Sequence, residues 1–215
     1  MLDTLRQRLQ AYRPPTLDHL GLPQAAVLLP VVDRAAPTLL FTRRALHLTT
    51  HRGQVAFPGG KRDPGDRDLY ATALRESEEE IALAPSQVTS LGRLSDLVSL
   101  HGLQVTPWVG VIPPDLPLKA EPGELDAIFE VPLDYFLDDR RTHTDVITAE
   151  GRRYYVPSYR VGGYVIWGLS AMMLVELLVR GYDMDIDMTR RPPGELRTYP
   201  PRRRRAGPLP STKKP

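Results

Sequence analysis

The sequence predicts a mixed α/β domain in which one β-sheet of mixed strand direction lies between helices. Three observations point there. Short, branched apolar runs bounded by Pro and Asp recur early in the chain and have the length of strands. Two longer segments, 69–83 and 167–180, have the length and apolar content of helices. Strand-like and helix-like segments mix without strict βαβ alternation, which argues against an all-parallel sheet.

Residues 25–32 (AAVLLPVV) and 38–42 (TLLFT) read as two buried strands. A helix over 69–83 follows, then strands at 88–94, 104–112 and 127–131, with 132–137 a short helical turn. Residues 145–149 and 153–157, joined by Glu150-Gly151-Arg152, read as a hairpin. The mostly apolar helix 167–180 closes the domain with Gly181 as its C-cap. The domain is expected to span 1–188, opening with a helical lead-in over residues 1 to about 20. No internal repeat is present.

Composition narrows the classes. The 215 residues hold 22 prolines and no cysteine, which excludes disulfides, thiolate metal sites and a Cys nucleophile and fits a reducing, cytoplasmic location. The most apolar stretch, 165–179, is interrupted by Ser170 and Glu176 and falls short of a bilayer span. The N-terminus lacks an apolar run ending in a small-residue cleavage site, so secretion is not expected. The net charge of +2 hides a split: residues 189–215 hold nine Lys/Arg against one acid, Glu195, while the other residues hold 19 basic and 25 acidic side chains. Such a basic, Pro/Arg-rich tail has too little apolar surface to offset its ordering entropy, and disorder is expected for it. A solvated extension and an electrostatic contact with nucleic acid both remain open for it.

The chemistry concentrates in residues 59–83 (GGKRDPGDRDLYATALRESEEEIAL). At about 100° per residue, Glu76, Glu79 and Glu80 share an arc of roughly 100°, and Glu78 points away. Tyr70, Leu74, Ser77 and Ile81 form the neighbouring stripe that anchors the helix to the sheet. Clustered like charges at these spacings destabilise a helix. A hard divalent cation compensates them, since Mg²⁺ prefers carboxylate oxygens and keeps waters for substrate phosphates; an acidic face paired with Lys or Arg is the alternative. Phe57-Pro58-Gly59-Gly60 is a strand end and a tight glycine turn, where backbone can approach a metal or ligand. Asp66 or Asp68 can cap the helix, and Arg75 can brace a loop or a carboxylate.

Residues 60–83 resemble the Nudix signature, G-x5-E-x7-R-E-U-x-E-E-x-G-U with U a bulky aliphatic: Gly60, Arg75, Glu76, Glu79, Glu80 and Leu83 match in order. Four features depart. Asp66 stands at the first Glu position, the gap before Arg75 is one residue longer, Ser77 replaces the aliphatic and Ala82 the glycine. A second element, residues 39–60 (LLFTRRALHLTTHRGQVAFPGG), closely resembles the LLTxRxxxLxxHxGxVAFPGG element of Nudix coenzyme A pyrophosphatases. Also similar to that family are the Asp-containing loop before Thr72-Ala73-Leu74-Arg75-Glu76, the segment Val105-Thr106-Pro107, the stretch from Glu124 to Leu133, and Ile166 to Ala171. The likeness runs over about 27–181 and leaves out the tail.

The resemblance implies a Nudix-type α/β/α sandwich and a Mg²⁺- or Mn²⁺-dependent hydrolase. It would cleave the pyrophosphate of coenzyme A (CoA) or its derivatives to 4′-phosphopantetheine, or its acyl form, and adenosine 3′,5′-bisphosphate. Carried over, Glu76 and Glu80 are the first metal ligands, Glu79 a further ligand or the water-orienting base, and the Gly60 carbonyl completes the shell. Glu124 is the rival base, while an ordinary acidic surface turn is the plain reading of Glu121-Pro122-Gly123-Glu124. Arg75 belongs to the catalytic core. Arg43 and Arg44 are the expected substrate cations, with one of them expected to pair with the acidic helix; Arg52 and Lys61 are weaker candidates. His51 is expected to make a structural hydrogen bond, because Mg²⁺ does not favour imidazole, and His47 is set aside as a ligand on the same ground. Trp167, Met172 and Met173 are expected in the core or in a homodimer interface, the assembly that suits this fold. Other Nudix substrates (NADH, ADP-ribose, dinucleoside polyphosphates) and a Nudix-fold nucleic-acid-binding module using the basic tail are the alternatives.

Overall fold

A computed structural model of the chain describes residues 1–149 and 151–198. In chain order these form α1 (Leu2–Ala11), β1 (Gln24–Val32), β2 (Thr38–Arg44), β3 (Val55–Ala56), β4 (Gly59–Lys61), α2 (Leu69–Ile81), β5 (Thr89–Arg93), β6 (Leu97–Val98), β7 (Gln104–Ile112), β8 (Leu125–Pro132), α3 (Leu133–Leu137), β9 (His143–Ala149), β10 (Arg152–Val161), β11 (Tyr164–Ile166), α4 (Gly168–Tyr182) and β12 (Leu196–Thr198).

Strand β1 is nearly all apolar because it is buried on both faces. It pairs in parallel with β7 and antiparallel with β2 and β4, so the main sheet is mixed, in the order β3-β2-β1-β7-β5 with β4, β6 and β8 attached. Period-two alternation sorts its side chains. Ala26, Leu28 and Val32, with Leu40 of β2, pack beneath Ala73 and Ile81 of α2. Ala25, Leu29 and Val31, with Leu39 and Phe41, face the core shared with α1, α4 and the second sheet. Helices thus cover both faces, the α/β/α sandwich that the sequence predicts.

The hairpin is longer than its sequence signal and builds a second sheet, β11-β10-β9-β12, which the sequence did not foretell. Strand β12 runs parallel to β9 with Leu196 opposite Thr144. This moves the end of the described fold from 188 to Thr198: Leu196–Thr198, inside the expected tail, finds backbone partners on β9 and is ordered by pairing rather than by burial. The expected disorder of the remaining tail, 199–215, lies outside the described residues.

At the other end, α1 seats Leu5 and Leu9, both buried, against α4. Gly181 is not the C-cap. It lies inside α4, where an added Cβ would collide with Leu5 Cδ1. The cap is Asp183, left-handed at φ 57°. Met173 lies in the core.

Candidate active site

Helix α2 begins where Asp68 accepts the Ala71 N–H at 2.8 Å, an N-cap three residues before the first turn closes. Asp66 does something else. Nearly buried, it accepts the Asp63 N–H at 2.9 Å and the Thr72 hydroxyl at 2.9 Å, and it receives Arg75 through Nε at 3.0 Å and a terminal nitrogen at 3.1 Å. The Arg75 guanidinium holds the Asp66 carboxyl well below the usual carboxylate range. Arg75 also donates to the Lys61 carbonyl at 3.0 Å and pairs with Glu76 at 3.0 Å and Glu79 at 2.9 Å. It therefore ties the Pro-Gly loop, β4 and two acids of α2 into one unit. The longer loop and its Asp66 form this brace.

The three acids do not converge as the arc suggests. Glu80 is 6% exposed, while the Glu79 side chain is 60% exposed and turned to Arg75. Among the described residues no three His, Cys, Asp or Glu side chains gather closely enough to hold a metal ion as they stand. Glu78 is exposed, as expected. The anchoring stripe is shifted as well: Ala73, Ser77 and Ile81 are buried, and Leu74 only in part. Ser77 fits the apolar interface by returning its hydroxyl to the Ala73 carbonyl at 2.6 Å. Ala82 is the left-handed C-cap of α2, at φ 57°, so glycine is favoured there for its backbone and not for chemistry.

Glu80 accepts the Gly59 N–H at 3.1 Å. Burial pushes its carboxyl up to about 7, the negative charges of Glu124 and Glu76 add to the rise, and the Gly59 bond and Arg44 oppose it. Burial likewise pushes Glu76 up, against the pull of Arg75. Gly60 lies against Glu76 so closely that a Cβ would occupy the place of the carboxylate. Gly60 is thus required by Glu76 behind it, whereas a Cβ on Gly59 would collide with Ala26 and Val27 of β1.

Glu124 arrives by backbone pairing. The N–H groups of Lys119 and Glu121 bond the carbonyls of Ile81 and Glu80 at 3.0 and 2.9 Å, filling acceptors that the end of α2 leaves open, and the Ala45 N–H bonds the Glu124 carbonyl at 2.8 Å. The Glu124 carboxylate lies 3.8 Å from Arg44. Arg44, 29% exposed at the side chain, has its Nε buried without a hydrogen-bond partner. Arg43 goes elsewhere, its Nε on Asp126 at 2.5 Å and its guanidinium over the Tyr164 ring. The expected arginine pair to the acidic helix is therefore not formed by either; their carboxylate partners belong to β8 and the loop before it. Arg52 is exposed on the turn between β2 and β3, and Lys61 is exposed. His51 makes its expected structural bond, to Gln54 at 2.8 Å, and His47 meets the Gly123 carbonyl at 3.3 Å.

The residues fit a hard divalent cation by their donors and their electrostatics. Glu76 and Glu80 offer carboxylate oxygens only, the ligand type Mg²⁺ and Mn²⁺ take. Glu80 is buried among like charges and accepts the Gly59 N–H. Asp126 and Tyr164 went unnoticed in the sequence. The strand period was the available signal for the separation of Arg43 from Arg44, since neighbouring residues on a strand point to opposite faces.

A NUDIX domain family model matches residues 22–148. A protein of Shigella sonnei named as an uncharacterized Nudix hydrolase NudL is 45% identical over 184 residues, covering 84% of this chain and 94% of its own length. A protein of Salmonella paratyphi B with the same name is 45% identical over 180 residues, covering 83% and 94%. Among solved structures, the C. elegans Ap4A hydrolase binary complex is similar at a TM-score of 0.45 and 20% identity, covering 53% of this chain and 83% of that one. No helix among the described residues is long and apolar enough to cross a membrane.

Proposed function

This chain belongs to the Nudix family, and on that premise we propose that it hydrolyses the pyrophosphate bond of CoA and CoA derivatives, with Mg²⁺ or Mn²⁺ held by Glu76 and Glu80. The observation that carries the reading is the buried Glu80 carboxylate, crowded by Glu76 and Glu124 and short of positive charge. Such a group stabilises neither helix nor core. It has a use when a cation and a polyphosphate are brought to it. A bound divalent cation neutralises diphosphate charge and favours attack by water at phosphorus.

The chain's own residues divide the remaining work. Arg75 fixes Glu76 and the loop through Asp66. Arg44, with its buried and unpartnered Nε, receives a diphosphate oxygen by a charge-assisted bond. Glu124 stands beside Arg44 and is the better placed of the two candidate bases, because Glu79 is spent on Arg75 and turned to solvent. The CoA class rests on the resemblance of residues 39–60, which supply both Arg44 and the glycine turn.

The test is a substrate panel with Mg²⁺: CoA, dephospho-CoA, ADP-ribose, NADH and dinucleoside polyphosphates, with products identified by mass. Preference for CoA, giving adenosine 3′,5′-bisphosphate, is expected. Preference for ADP-ribose or a dinucleoside polyphosphate rejects the substrate class while keeping the hydrolase. Hydrolysis of none of them, with retention of nucleic acid, favours a binding module.

A further inference from the structure

Consecutive arginines at the end of β2 serve opposite faces of the sheet. Arg44 lies beside Glu124, while Arg43 takes part in an assembly that the hydrolytic chemistry does not use. Asp126 engages its guanidinium side-on through Nε at 2.5 Å, a contact that leaves the two terminal nitrogens for a second acceptor. The guanidinium lies over Tyr164, 5.3 Å from the ring centroid. Tyr164 stacks face to face on Phe129 at 3.9 Å and 7°. Phe129 follows Phe41 at 5.7 Å, and Phe41 follows Phe57 at 4.6 Å. Phe41 and Phe57 are core residues, so the column of four rings is rooted where it cannot turn.

The ion pair has about a third of Arg43 and a quarter of Asp126 exposed, and such pairs contribute about 0–1 kcal/mol to folding. What the column and Asp126 supply is orientation: a cation held at a fixed place on the rim. That place is tied to the hydrolytic site through backbone. Arg43 pairs across the ladder with Val55, four residues before Gly59, whose N–H binds Glu80. Asp126 is two residues from Glu124.

We infer that Arg43, held by Asp126 and Tyr164, receives a phosphate monoester that the substrate carries apart from its diphosphate. This deepens the CoA reading and rests on it, since the 3′-phosphate is the group that CoA has and dephospho-CoA lacks. A phosphate dianion takes both terminal nitrogens of a guanidinium bidentately, while Asp126 keeps Nε. Arg43 is then a specificity residue, and Tyr164 and Asp126 are positioning residues that act through it.

The experiment has two arms. Calorimetric titration of wild type, Arg43→Gln, Tyr164→Phe and Tyr164→Leu compares adenosine 3′,5′-bisphosphate with AMP, and the same proteins are assayed on CoA and dephospho-CoA. Wild type is expected to prefer the bisphosphate by at least about tenfold. Arg43→Gln and Tyr164→Leu should lose that preference, and Tyr164→Phe should keep it, because the ring face is retained. Equal binding of the two mononucleotides by wild type, or an equal loss on both in Arg43→Gln, overturns the subsite even if CoA is cleaved. A preference for the bisphosphate that vanishes in Arg43→Gln, in a protein that does not cleave CoA, upholds the subsite and rejects the hydrolytic reading instead.

Discussion

Removing the charge of Glu80 should make the metal-free protein more stable and less active. An ordinary glutamate titrates near 4.5, and burial with two like charges pushes Glu80 up to about 7. Ionising it in the folded chain is therefore harder than in the unfolded chain. Below pH 4.5 the group is neutral in both states and costs nothing. As pH rises the unfolded chain ionises first, so stability is lost progressively and the loss is complete above about 7. At about 1.36 kcal/mol per pH unit, the full cost is roughly 3 kcal/mol. Glu80→Gln keeps an oxygen for the Gly59 N–H and removes the charge. In EDTA at pH 8 the variant should melt about 6–12 °C above wild type, at roughly 2–4 °C per kcal/mol for a chain of this size, and the two curves should meet near pH 4.5. Adding Mn²⁺ should raise the wild-type melting temperature and narrow the gap, because a ligand of the folded state stabilises it by mass action. Calorimetry across pH 4.5–8, with and without metal, is the assay. A variant that melts with or below wild type at pH 8 in EDTA would mean that Glu80 is adequately compensated without a cation.

Two further outcomes concern the frame around the site. Ala82→Gly, at the left-handed cap of α2, should stabilise by about 0.5 kcal/mol, since an alanine at positive φ is strained by more than the glycine costs in unfolded-state entropy; an unchanged or lower midpoint in urea refutes this. Gly181→Ala drives a methyl into Leu5 and should destabilise by about 1–3 kcal/mol through overpacking, with proteolytic cleavage after α1 accelerated. A midpoint equal to wild type would mean that α1 is not seated on α4 as described.

The sequence was most legible where one physical signal dominates. Continuous branched runs marked β1, β2 and β7 because both faces of those strands are buried. The acids of α2 were legible as a set, but angle alone cannot say which reach the interior: Glu79 and Arg75 are four residues apart, a spacing that pairs them on the surface. Features set by tertiary contact escaped. Gly181 carries the usual mark of a helix end, and its absence of a side chain serves Leu5. Strand β12 has no strand signal of its own and forms because β9 offers an open edge. Glu124 was found by its place before the VPL segment, whereas its position beside Arg44 depends on loop carbonyl partners no motif encodes.

We propose that Glu76 and Glu80 hold the divalent cation. A Mn²⁺ titration followed by electron paramagnetic resonance, on wild type, Glu76→Gln and Glu80→Gln at pH 8, tests it most directly. Wild type is expected to bind Mn²⁺ and each variant to lose at least about tenfold in affinity, as removal of a charged ligand costs more than 1.4 kcal/mol. Equal Mn²⁺ affinity in all three proteins would contradict the claim.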